Sequence, residues 1–262
     1  MRNEMLVVAP RHGLIWCPNA KVGTTTWYEI LRRKMTPRLK SMPRCFPSSC
    51  PDSGDKHSRN YPLGDYPLSL PKTMPSAVRL CDRRRYVSFT FVRNPWDRLA
   101  SAYLSKIDRG SRVHDRQAVA VQGRIRALFG LRRGQHISFG QFVRWVVRQN
   151  TSNMNQHWKP HSERCDTLYT PYEFIGRYET MQEDILHVLG MLGWSPSLIP
   201  ATHWSSLERS RLARVNESQK LLQLYRDDTS GGRLQLVELV AQKYHDDIVP
   251  FGYSFPGYKV GG

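Results

Sequence analysis

Residues 17–27 are Cys17-Pro18-Asn19-Ala20-Lys21-Val22-Gly23-Thr24-Thr25-Thr26-Trp27, and this stretch decides the predicted fold. The apolar run before it, 13–17, is typical of a short strand. After it, apolar residues at 27, 30, 31 and 35 have helical spacing, and basic residues follow that suit a helix C-terminus. Such a strand-to-helix turn directs N–H groups and hydroxyls toward one point. We therefore expect residues 20–26 to bind a phosphate or sulfate group.

An ordinary nucleotide P-loop has its residues in a different order. It needs Gly-x-x-x-x-Gly-Lys-Ser/Thr, whereas here Lys21 precedes Gly23 and no glycine stands five residues ahead of the lysine. A plain capped helix start also fits the turn, since threonine is a common N-cap. The turn alone therefore leaves the anion site and the simple cap both open.

The composition bounds the class of protein. With 262 residues and 40% hydrophobic content, the chain can bury the core of one large α/β domain, and we predict a single domain over 1–262. No run approaches the ~20 apolar residues of a membrane span, and the first apolar stretch is too short for a signal peptide. We therefore expect either a soluble protein or an anchor that precedes Met1. The net charge of +17 predicts an anionic partner, which nucleic acid, acidic lipid, a nucleotide or a polyanionic glycan would satisfy.

The cysteines and sequons give weaker indications. Five cysteines, at 17, 45, 50, 81 and 165, leave at least one unpaired and show no Cys-x-x-Cys zinc spacing. Pairing of Cys45 with Cys50 in an oxidising lumen and free thiols both stay open. Asn150 and Asn216 begin glycosylation sequons.

A second strand-to-helix junction begins with residues 86–92, a β-branched and aromatic run with the length of a buried strand. Arg93 follows at its carboxyl end. Asn94-Pro95 then predicts a helix start, and Ser101 lies about two turns along that helix. Ligands of open α/β sheets bind beyond the carboxyl ends of the strands, so we expect Arg93 and the first turn at the same edge.

Two regions are predicted to surround this framework. Residues 36–76 are rich in proline and predict an irregular connection over the surface or near a substrate groove. Residues 108–136 form a basic insert, which is either a solvated face or a rim for a polyanionic acceptor. Ser138 is expected to cap a helix whose apolar residues, 139, 142, 143 and 146, belong to the core.

Four segments resemble the carbohydrate sulfotransferases of the chondroitin 4-O-sulfotransferase and HNK-1 sulfotransferase group, which use 3'-phosphoadenosine-5'-phosphosulfate (PAPS). They are 14–27, 91–103, Tyr172-Glu173-Phe174-Ile175-Gly176-Arg177-Tyr178-Glu179, and the ending Tyr244 … Asp247-Ile248 … Phe251-Gly252-Tyr253. This chain departs from the family at Ala20, where proline is usual, and at Thr24 and Thr26, where cysteine and asparagine are frequent. Leu168 stands where many members have a second cysteine after Cys165.

The resemblance implies an α/β, P-loop-like sulfotransferase fold with a parallel sheet flanked by helices. It also implies a phosphosulfate-binding loop in which Lys21 stabilises the leaving phosphate, and a 3'-phosphate site formed by Arg93 and Ser101. The candidate loop residues are Ala20, Lys21, Val22, Gly23, Thr24, Thr25 and Thr26. No metal is required.

A hydroxyl acceptor needs a general base, most often histidine. Of the nine histidines, His157 is the candidate because its His-Trp-x-Pro segment resembles that of the family. His161 and His57 are the reserves.

The implied partners are PAPS and an anionic or neutral glycan, in the Golgi lumen or at its membrane. A magnesium-dependent, P-loop-like nucleotide kinase lacks support, because the Gly-Lys-Thr order and a Walker-B carboxylate are absent from the sequence. A basic nucleic-acid-binding protein would explain the charge but not the paired anion motifs. A sulfotransferase fold used only for binding also stays open.

Overall fold

The computed structural model describes residues 5–9, 12–35, 68–71, 86–108, 116–201, 220, 222–226 and 234–258. The chain divides into two compact units: a sheet unit, 1–92 with 165–211, and a helical unit, 93–164 with 212–262. The single domain over 1–262 stays a prediction. Several residues considered above lie outside the described ones: Cys45, Cys50, Cys81, His57 and Asn216.

The helices have the following bounds in chain order. They are α1 Thr24–Met35, α2 Pro95–Tyr103, α3 Arg116–Phe129, α4 Phe139–Val147, α5 His161–Cys165, α6 Met181–Met191, α7 Gln235–Lys243 and α8 His245–Ile248. A π-helical turn, Leu104–Asp108, extends α2, and 3₁₀ turns occupy Thr151–Asn153 and Pro196–Leu198.

The sheet unit contains a mixed five-stranded sheet of order β3-β1-β2-β4-β5. Its strands are β1 Met5–Ala9, β2 Leu14–Cys17, β3 Leu68–Pro71, β4 Val87–Val92 and β5 Phe174–Arg177. β2, β4 and β5 run parallel, while β1 is antiparallel to both β2 and β3. The predicted parallel sheet is therefore confirmed for three strands and wrong for the other two. The connection between β1 and β2 is too short for a parallel crossover, so these strands pair as a hairpin.

The proline-rich region 36–76 contains β3, so the prediction of irregular structure is wrong at residues 68–71. Proline is tolerated in an edge strand, because one side of such a strand needs no ladder hydrogen bonds. β3 is indeed the terminal strand of the sheet, and Pro71 is its last residue. The rest of 36–76 lies outside the described residues.

Alternating side chains give the sheet two buried faces. One face, which includes Val7, Trp16 and Phe89, packs with apolar residues of α1 and α6. The opposite face includes Leu6, Val8 and Ile15. The apolar positions predicted for the first helix are confirmed as core, since Trp27, Ile30, Leu31 and Met35 of α1 are buried. From α6, Met181, Ile185, Val188 and Leu189 are buried as well.

Two close approaches on β5 and β2 depend on particular residue types. Gly176 lies against the ring of Phe91, and a Cβ atom at position 176 would come within 3 Å of three ring atoms. This contact explains why the segment 172–179 needs a glycine between its bulky residues. At the end of β2, Cys17 forms a disulfide with Cys165, across 148 residues of sequence and a Cα–Cα distance of 5.9 Å.

The helical unit contains both helices whose N-terminal caps were predicted. Asn94 caps α2 by accepting from the Trp96 N–H, and Ser138 and Gln141 form a capping box on α4, which confirms both predicted starts. Trp96 is fully buried, and its indole Nε1–H donates to the Val237 carbonyl on α7 at 3.1 Å. The apolar face predicted for α4, at 139, 142, 143 and 146, is buried.

The basic insert 108–136 contains α3, which the sequence interpretation did not predict. Val121 and Ile125 turn inward, whereas Arg124, Arg132 and Arg133 are exposed. The charges therefore lie on a solvated face of this helix and of the turn after it. Among the described residues, no helix is long and apolar enough to cross a membrane.

Candidate active site

The turn between β2 and α1 has an unusual backbone. Lys21 and Gly23 both have positive φ angles, of 71° and 77°. This conformation costs an L-residue about 1–2 kcal/mol, whereas glycine adopts it freely. The turn therefore holds the half-buried Lys21 in a conformation that the surrounding structure has to stabilise.

Asn19 anchors that turn to the neighbouring strand. Its side chain is fully buried, and its amide Nδ2 donates to the Thr90 hydroxyl at 3.2 Å and to the Phe91 carbonyl at 3.0 Å. The Thr90 hydroxyl in turn donates to the Cys17 carbonyl at 2.9 Å. β2 and β4 are thus joined by side chains beyond their ladder. Both strands end at one edge of the sheet, because Cys17 pairs in parallel with Thr90.

The first turn of α1 presents backbone donors. The amides of Thr26 and Trp27 both donate to the Gly23 carbonyl. The N–H groups of Gly23, Thr24 and Thr25 have no hydrogen-bond acceptor in the described part of the chain. Orphan donors at a helix N-terminus attract anions.

The hydroxyls of the three threonines differ in their surroundings. The Thr24 hydroxyl donates to the Asn19 carbonyl, so it closes the turn. Thr25 is exposed and Thr26 is buried. Residues 20–26 therefore form one turn at the N-terminal end of α1. The turn contains Lys21, two residues with positive φ and several backbone donors.

Arg93 is the first residue of the helical unit and follows β4 directly in the chain. It is only 3% exposed, and its backbone N–H donates to Nε2 of His161 at 3.2 Å. A ring nitrogen that accepts from an N–H carries a lone pair, so the proton of the neutral ring is on Nδ1. Nε2 of His161 is therefore already used by a backbone donor, and the ring supports the main chain at Arg93.

Burial determines the protonation of this support. The pKa of His161 is lowered well below its usual value by burial, and the positive charges of Arg98 and Arg164 lower it further. Asp247 caps α5 by accepting from the amides of His161 and Ser162, at 2.6 and 2.7 Å. Burial raises the pKa of Asp247, while these two amide bonds oppose the rise.

Arg98 lies on α2 and is buried with its charge. Its guanidinium donates to the carbonyls of Lys159 and Gln156, at 2.6 and 2.9 Å. Burial lowers the pKa of Arg98 to about 10. The Tyr244 hydroxyl donates to the carbonyl of Trp158, which lies between Gln156 and Lys159 in the sequence. The backbone on both sides of His157 is therefore held by Arg98 of α2 and by Tyr244, which lies between α7 and α8.

His157 itself is half-buried. Its Nδ1 lies 2.7 Å from the side-chain oxygen of Asn155, which also accepts from the His157 backbone N–H at 3.0 Å. Ser101 is half-buried on α2. The helical unit thus contains Arg93, Ser101, His157 and His161, and it joins Arg93 to His161 directly.

Sequence reasoning missed several residues of this framework. Asn19 stands within the quoted turn, and Arg98 within the second motif, but no role was assigned to either. Asp247 was noticed only as part of the family-like ending. Asn155 had a local signal, because asparagine two residues before a loop residue often bonds to the backbone of that residue. Its bond to the imidazole ring had no such signal.

Comparison with known proteins identifies the family of the chain. A profile described as "Sulfotransferase family" matches residues 4–254. The chain belongs to the sulfotransferase family. The family match covers both strand-to-helix junctions and the segment around His157, so all described candidate residues lie inside it.

Individual sulfotransferases are similar over most of the chain. Carbohydrate sulfotransferase 11 of Rattus norvegicus is 28% identical over 261 residues, which cover 97% of this chain and 68% of the relative. Carbohydrate sulfotransferase 12 of Mus musculus is 27% identical, over 96% of this chain and 60% of the relative. Carbohydrate sulfotransferase 14 of Homo sapiens is 26% identical, over 70% and 45%. No solved structure matches this sulfotransferase significantly.

Proposed function

We propose that this sulfotransferase moves the sulfuryl group of PAPS to a hydroxyl group of a carbohydrate. The observation that carries the proposal is the turn at residues 20–26, in which a lysine and orphan N–H groups meet at a helix N-terminus within a sulfotransferase-family chain. The names of the similar proteins support a carbohydrate acceptor. We also propose that the turn is a P-loop-like site, in which the first turn of α1 takes the 5' end of the donor.

Lys21 is the proposed catalytic cation of the turn. In sulfuryl transfer the acceptor oxygen attacks in line, while the bridging oxygen to the departing phosphate gains negative charge. Most of the catalysis then comes from positioning and from fixed positive charge. Lys21 would stabilise the departing charge. The residues that would line this end of the donor are Ala20, Val22, Gly23, Thr24, Thr25 and Thr26.

Arg93 and Ser101 are the proposed ligands of the 3'-phosphate. A guanidinium can bind a phosphate with two parallel hydrogen bonds, and a serine hydroxyl can donate a third. His161 accepts the backbone N–H of Arg93 and so fixes the main chain at that residue. The spacing of Arg93 and Ser101 also matches the 3'-phosphate motif of the family they resemble.

His157 is the proposed general base, which would take the proton of the acceptor hydroxyl. A neutral imidazole with its proton on Nδ1 has a lone pair on Nε2 for this purpose. We propose a transfer that needs no metal ion, since charge stabilisation by Lys21 and Arg93 would serve it. Among the described residues, no group of three metal-type ligands occurs.

The acceptor and the cellular location are proposed as a class of glycan and a compartment. The net charge of +17 and the exposed Arg124, Arg132 and Arg133 favour an anionic glycan, such as a glycosaminoglycan, over a neutral one. The sequence motifs favour the chondroitin 4-O-sulfotransferase and HNK-1 sulfotransferase group. Such an enzyme would act in the Golgi lumen, and the Cys17–Cys165 disulfide suits an oxidising compartment.

The first experiment is calorimetric titration with 3'-phosphoadenosine-5'-phosphate, the product nucleotide. We expect Lys21→Ala and Arg93→Ala each to weaken binding by about 10-fold or more, because each removes charge-assisted hydrogen bonds. Arg124→Ala and Lys220→Ala remove the same charge from exposed positions and serve as matched controls. We expect these controls to change the affinity by less than about 2-fold.

Transfer assays then test the reaction. Sulfate transfer from PAPS to chondroitin and to neutral oligosaccharides would identify the acceptor class, and ATP should compete poorly for the nucleotide site. A folded protein that does not bind the product nucleotide would contradict the proposal. Equal losses in the target and control variants would assign binding to general electrostatics instead.

A further inference from the structure

We propose that Asn155 is a positioning residue for catalysis, because its side-chain oxygen sets the tautomer and orientation of His157. The inference rests on the proposed function, in which His157 is the general base. It adds a residue that neither the sequence motifs nor the family match assigns. It concerns only the helical unit, where both residues lie.

The hydrogen bonds identify the atom of Asn155 that faces the ring. The same side-chain atom lies 3.0 Å from the backbone N–H of His157 and 2.7 Å from its Nδ1. A backbone N–H can only donate, so the shared atom has to be the carbonyl oxygen of the amide rather than its NH₂ group. That oxygen can only accept, so Nδ1 carries a proton. The lone pair of the neutral ring is therefore on Nε2.

The backbone around the pair is held in place. The Asn155 carbonyl accepts from the amides of Trp158 and Lys159, at 3.0 and 2.9 Å. Arg98 and Tyr244 hold the carbonyls on either side of His157, as described above. Asn155 therefore acts on a ring whose main chain is already fixed. A base in this setting needs little reorganisation before it accepts a proton.

Asn155→Asp is the informative variant. Aspartate keeps an oxygen that can accept from both the His157 amide and Nδ1, so the turn is preserved. It also adds a negative charge beside the ring, which stabilises the imidazolium. We expect the pKa of His157, followed by NMR titration and assigned with His157→Gln, to rise by about one unit. The apparent pKa of the acidic limb in the pH profile of kcat/KM should rise by the same amount, since that limb reports the base of the free enzyme.

Asn150→Asp provides a matched control. The Asn150 side-chain oxygen accepts from the Ser152 N–H at 3.0 Å and from the Ser152 hydroxyl at 2.8 Å, so it forms the same kind of turn without a histidine. Both variants are made without glycosylation, so that Asn150→Asp changes only the charge. We expect the control to leave the His157 pKa and the pH profile unchanged. Asn155→Ala should lower kcat by about 10-fold to 100-fold with little change in KM.

The two measurements separate the possible failures. If the His157 pKa moves no further in Asn155→Asp than in Asn150→Asp, the pairing of Asn155 with the ring is overturned. If that pKa rises but the pH profile stays in place, His157 is not the base, and the positioning role is overturned with it. Unchanged binding of 3'-phosphoadenosine-5'-phosphate in that second case would leave the donor site of the proposed function intact.

Discussion

Replacement of His161 should separate its two physical contributions, hydrogen bonding and titration. The side chain is fully buried, and Nε2 accepts the backbone N–H of Arg93, which is itself 3% exposed. His161→Leu leaves that donor without its acceptor, and a buried unsatisfied donor costs about 1–3 kcal/mol. His161→Gln offers a side-chain carbonyl of similar reach, so it should lose less. Denaturant unfolding at pH 7.5 measures both free energies of unfolding.

The pH dependence has a definite sign. The pKa of His161 is lowered in the folded state from its usual value of 6.5, so below that pH the unfolded chain binds a proton that the folded chain does not. His161 therefore does not lower the free energy of unfolding of the parent protein above pH 6.5, and it lowers that free energy progressively as the pH falls below this value. One such group contributes a slope of up to about 1.4 kcal/mol per pH unit. Glutamine does not titrate, so His161→Gln should lack this contribution.

The assay is the difference in unfolding free energy between the parent and His161→Gln, measured at intervals from pH 7.5 to 5. Groups common to both proteins, including Asp247, largely cancel in this difference. We expect the advantage of the parent to shrink as the pH falls below 6.5. A difference that stays constant over this range would refute the buried, neutral state of His161. Calorimetry at pH 7.5 should also show weaker binding of 3'-phosphoadenosine-5'-phosphate to His161→Leu than to His161→Gln. Only the leucine variant leaves the Arg93 backbone N–H without its acceptor.

The sheet unit allows two further predictions. Gly23→Ala should lower stability by about 1–2 kcal/mol, because φ is +77° there and a Cβ atom would overlap Met181. Gly123 is an exposed residue of α3 with open space around it, so Gly123→Ala should instead raise thermal stability. Equal effects of the two substitutions would contradict this reasoning. Replacement of Cys17 and Cys165 by serine should lower the free energy of unfolding by up to about 5 kcal/mol, because the disulfide closes a loop across 148 residues. Free thiols at both positions in the unreduced, denatured protein would contradict the disulfide.

Much of the local structure could be predicted from the sequence. The helix after the first turn, the buried strand before Arg93 and the cap at Ser138 are all confirmed. These features depend on residues close together in the chain: periods of two or 3.6 residues, a side-chain cap, or a proline in a first helical turn. The turn proposed to bind the donor could likewise be recognised, because its lysine, glycine and threonines lie within six residues of the sequence.

Long-range pairing could not be predicted in the same way. The prediction of a wholly parallel sheet missed β1 and β3, since strand order depends on contacts that a single sequence does not encode locally. The same limit applies to the Cys17–Cys165 bond across 148 residues, to the Asn19–Thr90 contact across 71 and to the Asp247 cap on His161 across 86. Each of these pairs is energetically favourable only once the chain has brought its members together.

The candidate residues of this sulfotransferase could be named from the order of residues alone, because the residue types suited to anions lie close together in two short motifs. The tertiary structure decided how those residues are held. It showed that His161 accepts the backbone N–H of Arg93, that Asn19 ties the Lys21 turn to β4, and that the side-chain oxygen of Asn155 lies 2.7 Å from Nδ1 of His157. The physical reason is that the direction of a hydrogen bond and the burial of a ring are properties of three-dimensional neighbours, which the order of residues along the chain does not specify.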